Sequence, residues 1–131
     1  MPSRDTRFRP LLFALFAVAV VVTLVMALLP HPPSPLGTIW DKWQHMLAFG
    51  SLALLAAFAF PTTPLLLIGQ RLSFFGALIE LTQALPMICR DCDIFDWVAD
   101  TIAFVIVLLV IDIAMGGTPF TSFTAFTLGV G

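Results

Sequence analysis

Charge is scarce in this sequence. Charged residues fill 11% of the 131 positions and hydrophobic residues 60%, against about 25% and about 45–50% in ordinary globular domains. A soluble chain of this length cannot hide so much apolar surface, so a bilayer is its natural solvent. Basic residues number only six. None forms a patch beyond the N-terminus, which excludes a nucleic-acid partner. No glycine-rich phosphate loop, hydrolase elbow or zinc-protease helix is present. No internal repeat or Ser/Gly linker divides the chain, and its length suits one domain spanning 1–131. Cysteine is limited to Cys89 and Cys92. They read as two loop thiols, reduced or loosely paired, with a local disulfide in an oxidising compartment as the alternative.

What the chain does have is four long apolar runs. Residues 11–29 carry no charge and match the roughly 20 residues that cross a hydrocarbon core. Pro10 suits a first helical turn and Pro30 stops the helix. Further spans are predicted over 41–60, 65–85 and 96–115, closed by Pro61, by Pro86 and by Gly116 with Gly117. The expected fold is all-α, a membrane bundle of four transmembrane helices joined by short connections. Arg4, Arg7 and Arg9 precede the first span, which predicts a cytoplasmic N-terminus and, after four crossings, a cytoplasmic C-terminus. The first run is longer than a signal-peptide core, and no convincing A-x-A site precedes the prolines, so it reads as an uncleaved anchor. Residues 116–131, with Phe120, Phe123 and Phe126, read as a loose interfacial tail.

Polar residues interrupt the ends of these runs, all on the predicted outer side. Asp41, Lys42 and His45 open the second run, and Asp41 and His45 share a helical face. Glu80 and Gln83 close the third run, on one stripe with Ser73 and Gly76. Asp93, Asp96 and Asp100 open the fourth, within an arc of about 60° if the helix reaches back to Asp93. Ionisable groups at membrane depth are costly and mark functional sites. A water-accessible pocket at the outer surface accounts for them. Glu80 and His45 are then acid–base candidates, with Asp96 orienting one of them. Asp41, Lys42, Gln83, Arg90 and Asp100 are binding candidates. Lys42 and Arg90 suit an anionic headgroup or phosphate. No metal or other cofactor is assigned. A divalent hard cation held by Glu80, Asp93, Asp96 and Asp100 is the alternative. Proton or cation transport through the carboxylate–histidine cluster is a second functional reading. A structural accessory subunit is a third, and whether the chain is an enzyme stays open.

The same residues carry a resemblance. D-K-W-Q-H at 41–45, G-A-L-I-E-L-T-Q at 76–83, and Arg90 followed by D-W-V-A-D at 96–100 resemble the D-K-x-x-H, G-x-x-x-E-x-x-Q and R…D-x-x-x-N elements of VanZ-like membrane proteins. Order and spacing agree over about 39–103. The chain departs at Asp100, where the family pattern has asparagine, and at Ala103, where it has glycine. With three carboxylates together, one of Glu80, Asp96 and Asp100 is expected to stay protonated. The resemblance implies a multi-pass protein of the bacterial inner membrane. It also implies a cell-envelope role of the kind associated with resistance to teicoplanin. The implied partners are the bilayer and an anionic envelope lipid or lipid-linked precursor.

Overall fold

A computed structural model of the chain describes residues 7–29, 38–87 and 93–116, without the side chains of 38–41. Four helices account for nearly all of them: α1 (Arg9–Leu28), α2 (Thr38–Ala59), α3 (Leu65–Gln83) and α4 (Ile94–Ala114). The described fold is all-α.

Local chemistry sets the helix ends. Pro10 occupies the first turn of α1, where its missing N–H costs nothing. The Pro64 carbonyl accepts from Leu67 and Ile68 N–H and so starts α3. That helix stops at Gln83, before the expected 85. Pro86 disfavours helical backbone at Leu85, whose N–H turns back to Thr82 at 3.1 Å. Helix α4 starts at Ile94, two residues before the expected 96. Asp93 is its N-cap, with extended φ −122° and ψ 110°, and its carboxylate accepts from Phe95 N–H. Just past α4, Gly116 takes a φ of +82°, which glycine adopts without strain.

Three helices, α1, α3 and α4, are long and apolar enough to cross a membrane. The expectation of four such spans is corrected at α2. It is 22 residues long, but Lys42, Gln44 and His45 make its first turns too polar. The packing explains how a membrane bundle tolerates this. Helix α2 touches each of the other three, whereas α1 and α4 make no contact among the described residues. Protein, rather than lipid, covers much of α2.

The core lies along α2. Phe49, Leu52 and Ala53 are fully buried. The Phe49 ring centre is 5.9 Å from that of Phe75 on α3 and 6.4 Å from that of Phe104 on α4. Small residues bring the helices close: Ala53, Ala56, Gly76 and Ala103 are all buried. By contrast Ala27 is the one buried residue of α1, whose Val18, Val21, Val22 and Val25 are exposed. In a bilayer, lipid is as apolar as these side chains, so there close packing and hydrogen bonds, not transfer from water, would hold the helices together.

Successive helices run antiparallel. At one end Phe13 and Phe16 of α1 meet Phe60, just past α2, edge-to-face at 5.1 and 5.4 Å. At the other end Gln83 Nε2 of α3 donates to the Ala27 carbonyl of α1 at 2.8 Å. The second end gathers the last turns of α1 and α3 and the first turns of α2 and α4. It is the polar end of the bundle.

Candidate functional site

Antiparallel packing converts three short polar stretches into one cluster. His45 stands two turns into α2, Glu80 in the last turn of α3, and Asp96 and Asp100 one turn apart on α4. All four are buried, with exposures of 8%, 6%, 5% and 0%. His45 Nδ1 lies 3.2 Å from Asp100 Oδ1, and its Nε2 lies 3.8 Å from Asp96 Oδ2. The imidazole therefore sits between two carboxylates of the same helix face. His45, Glu80 and Asp96 each bring one ligand-type atom within 4.8 Å of the others.

Lys42 closes the mouth of the cluster. Its ammonium is 2.9 Å from Asp93 Oδ2 and 2.9 Å from Asp96 Oδ1. This pair of contacts braces α2 against α4. Two of the three ammonium protons are thereby engaged, and one remains to face a ligand. The expected anion-binding role of Lys42 thus starts from a charge already balanced by carboxylates. Asp93 sits outside α4 and joins both halves of the site. The Lys42 ammonium, and then Phe95 N–H, hold its carboxyl below the ordinary aspartate range. Its own N–H donates to Glu80 Oε2 at 3.2 Å.

Some buried oxygens are left without a hydrogen bond. Among the described residues, Glu80 Oε1, Gln83 Oε1 and both Asp100 carboxylate oxygens find no donor. Such atoms cost about 1–3 kcal/mol each when nothing satisfies them. They lie at the end of the bundle where a ligand can supply the missing partner.

An apolar cleft of about 380 Å³ opens between α1 and α2. Ala19, Val22 and Met26 line one wall, and Ala48 and Ser51 the other, with His45 at its polar limit. A second cleft, about 370 Å³, lies between α3 and α4 along Gly69, Ser73, Thr101 and Leu108, with Gln70 and Asp112 beside it. None of the clustered site residues lines that one.

Compared with protein-family models, with curated proteins and with solved structures, the chain matches none.

The site is thus defined by its own residues. His45, Glu80, Asp96 and Asp100 come together, with Lys42 at their edge. Gln83 is buried, but its amide nitrogen serves the last turn of α1. The side chain of Asp41, Arg90 and both cysteines, Cys89 and Cys92, lie outside the described residues, as do 117–131. Asp93 does not continue the Asp96–Asp100 arc, because its backbone is not helical. Its capping role was available as a signal: an aspartate immediately before an apolar run. Two close contacts fall on the predicted stripe of Ser73 and Gly76, but their partners Trp97 and Phe49 carried no signal. Trp97 Nε1 donates to the Ser73 carbonyl at 3.2 Å. Gly76 leaves only 3.3–3.4 Å between a built Cβ and the Trp97 and Phe49 rings.

Proposed function

We propose that this chain is a VanZ-like protein of the bacterial inner membrane. In this reading it binds an envelope lipid with an anionic headgroup and presents that headgroup to the His45–Glu80–Asp96 cluster. The observation that carries the reading is the run of the α1–α2 cleft up to His45. A site with an apolar trough at one side and buried polar groups at its end suits an amphiphile. The acyl or prenyl chain lies along Val22, Met26 and Ala48, and the headgroup meets Lys42, His45 and the carboxylates. Glu80 and His45 are the acid–base pair for any turnover of the headgroup. The motif resemblance supports a cell-envelope role of the kind associated with glycopeptide tolerance.

The same reading orients the bundle. The arginines before α1 support a cytoplasmic N-terminus, with the polar end at the outer surface. This orientation requires α2 to cross as well, which its own composition does not mark. Transport fits less well. Beyond Asp100 the buried residues, among them Phe49, Leu52, Ala56, Phe104 and Leu108, are apolar, and the polar Gln70, Ser73, Thr101 and Asp112 line a separate cleft that the clustered residues do not reach.

The test is lipid-selective stabilisation. Full-length protein in detergent is melted with a long-chain lipid monophosphate or with zwitterionic phosphatidylcholine. At 100 times its dissociation constant a specific ligand adds about 2.7 kcal/mol. The phosphate lipid should raise Tm more than phosphatidylcholine, and Ala48→Phe, which fills the cleft, should remove the difference. An equal response to both lipids sinks the proposal.

A further inference from the structure

An anionic headgroup meets a difficulty here. Among the described residues, four carboxyl groups, Glu80, Asp93, Asp96 and Asp100, meet at this end of the bundle with one ammonium, Lys42, which pairs with Asp93 and Asp96. Three of these four carboxyl groups are buried. An anion arriving at such a place is repelled unless further positive charge is present. A bound cation would supply it.

We propose that His45, Glu80 and Asp96 bind a divalent transition-metal ion of the zinc type, with a coordination position left open. Four observations carry this. The first is convergence. One ligand-type atom from each residue lies within 4.8 Å of the others, from three different helices. Two donors at 2.0–2.2 Å from one zinc ion stand at most about 4.4 Å apart. His45 Nε2 and Asp96 Oδ2, at 3.8 Å, already meet that limit.

The second is the tautomer. His45 Nδ1 lies 3.2 Å from Asp100 Oδ1, an ion-pair distance short of hydrogen-bond geometry, so a ring proton placed on Nδ1 faces that carboxylate. Nε2 then carries the lone pair on the side of Asp96. Carboxylate–histidine–metal sites are oriented in this way, with the outer carboxylate raising the basicity of the ligand. Asp100 is thus a positioning residue. The aspartate that departs from the family pattern holds the imidazole for the ion.

The third is the unpartnered oxygen. Glu80 is 6% exposed, and its Oε1 has no hydrogen-bond partner among the described residues. Its other oxygen is fixed by Asp93 N–H. One oxygen anchored and the other open is the state of a ligand awaiting an ion. The fourth is the donor set. One imidazole nitrogen with two carboxylates favours zinc or manganese over calcium and magnesium, which prefer oxygen alone. Three protein ligands leave room for a water or a phosphate oxygen, as open zinc sites do.

The ion site stands on this geometry alone. Only its use in holding a headgroup rests on the lipid reading.

The experiment uses the full chain in detergent, stripped with a chelator and dialysed. Zinc binding is measured by calorimetry and by elemental analysis, and Co²⁺ is added as a spectroscopic probe. One equivalent of zinc should bind, and Co²⁺ should give the visible absorption of a low-coordinate site. His45→Ala and Glu80→Gln should each weaken zinc by more than about 100-fold, beyond the 10–100-fold typical of outer partners. Asp100→Asn keeps an acceptor for Nδ1–H and should weaken it about tenfold. Helical content by circular dichroism separates loss of the site from loss of the fold. Folded wild-type protein that binds no stoichiometric zinc or manganese overturns the proposal. So do folded His45→Ala and Glu80→Gln variants that bind like wild type. Repeating the lipid melts with and without zinc keeps the two readings apart. Lipid selectivity without metal binding removes the ion and keeps the lipid. Metal binding without lipid selectivity does the reverse.

Discussion

Asp93 shows how much one side chain can do at a helix start. One carboxylate oxygen caps α4 through Phe95 N–H at 2.9 Å, and the other holds Lys42. Its backbone N–H anchors Glu80. Because the folded state favours the ionised carboxyl, the sign of its pH dependence follows. The stabilisation is fully present above the unfolded value of about 3.9, and it is lost as pH falls through the lower folded value. Asp93→Asn keeps a capping oxygen and loses the charge. It should therefore melt lower than wild type at pH 7, and the difference should shrink below pH 3 in thermal scans. No difference at pH 7 would show that Asp93 acts by capping alone. The residue types of the site were legible because charge is so rare in this chain. Their pairing was not. Spacing of three and four residues shows which side chains share a helical face, but not which face of a neighbour they meet. Lys42 read as an anion holder, yet it reaches across to α4. Asp100 read as a departure from a pattern, yet it is the closest partner of His45 among the measured contacts.

At the scale of elements, prolines made the helices readable. Pro10, Pro64 and Pro86 lie within three residues of helix ends, where a missing N–H or a restricted preceding residue forces the boundary. The start of α4 was less readable, because a capping aspartate and a helical one look alike in an acidic stretch. The contacts between helices were hidden for another reason: a glycine reveals its neighbours only once they are packed. Gly76 and Gly50 make this testable. A Cβ at Gly76 meets Trp97 and Phe49 at 3.3–3.4 Å, whereas one at Gly50 meets Val107 at an ordinary 3.7 Å. Replacing glycine by alanine inside a helix gains about 1 kcal/mol, and overpacking costs about 1–3 kcal/mol. Gly50→Ala should be neutral or stabilising. Gly76→Ala should be neutral to about 2 kcal/mol destabilising after that offset, and Gly76→Val should be worse than either. Denaturant unfolding in mixed micelles measures the order. Equal effects at both glycines would contradict the close approach of α3 to α2 and α4.

For the whole molecule, the open question is how many times the chain crosses. Three helices are apolar enough, and the proposed orientation needs α2 to cross with them. Single cysteines at Thr62 and Met87, in a background with Cys89→Ser and Cys92→Ser, distinguish the arrangements. A membrane-impermeant maleimide on intact spheroplasts should label Met87→Cys and not Thr62→Cys. Labelling of Thr62→Cys in place of Met87→Cys would remove α2 from the membrane. The same bundle has one lightly held member. Helix α1 is clasped near its start by Phe60 and near its finish by Gln83. The cleft lies between those clasps, which are roughly 16–21 Å apart along the helix. Between the clasps, Ala19 and Val20 still pack against the core, so the slot is bounded by a helix anchored most firmly at its two tips. On the lipid reading, a guest that enters sideways from the bilayer leaves both clasps intact.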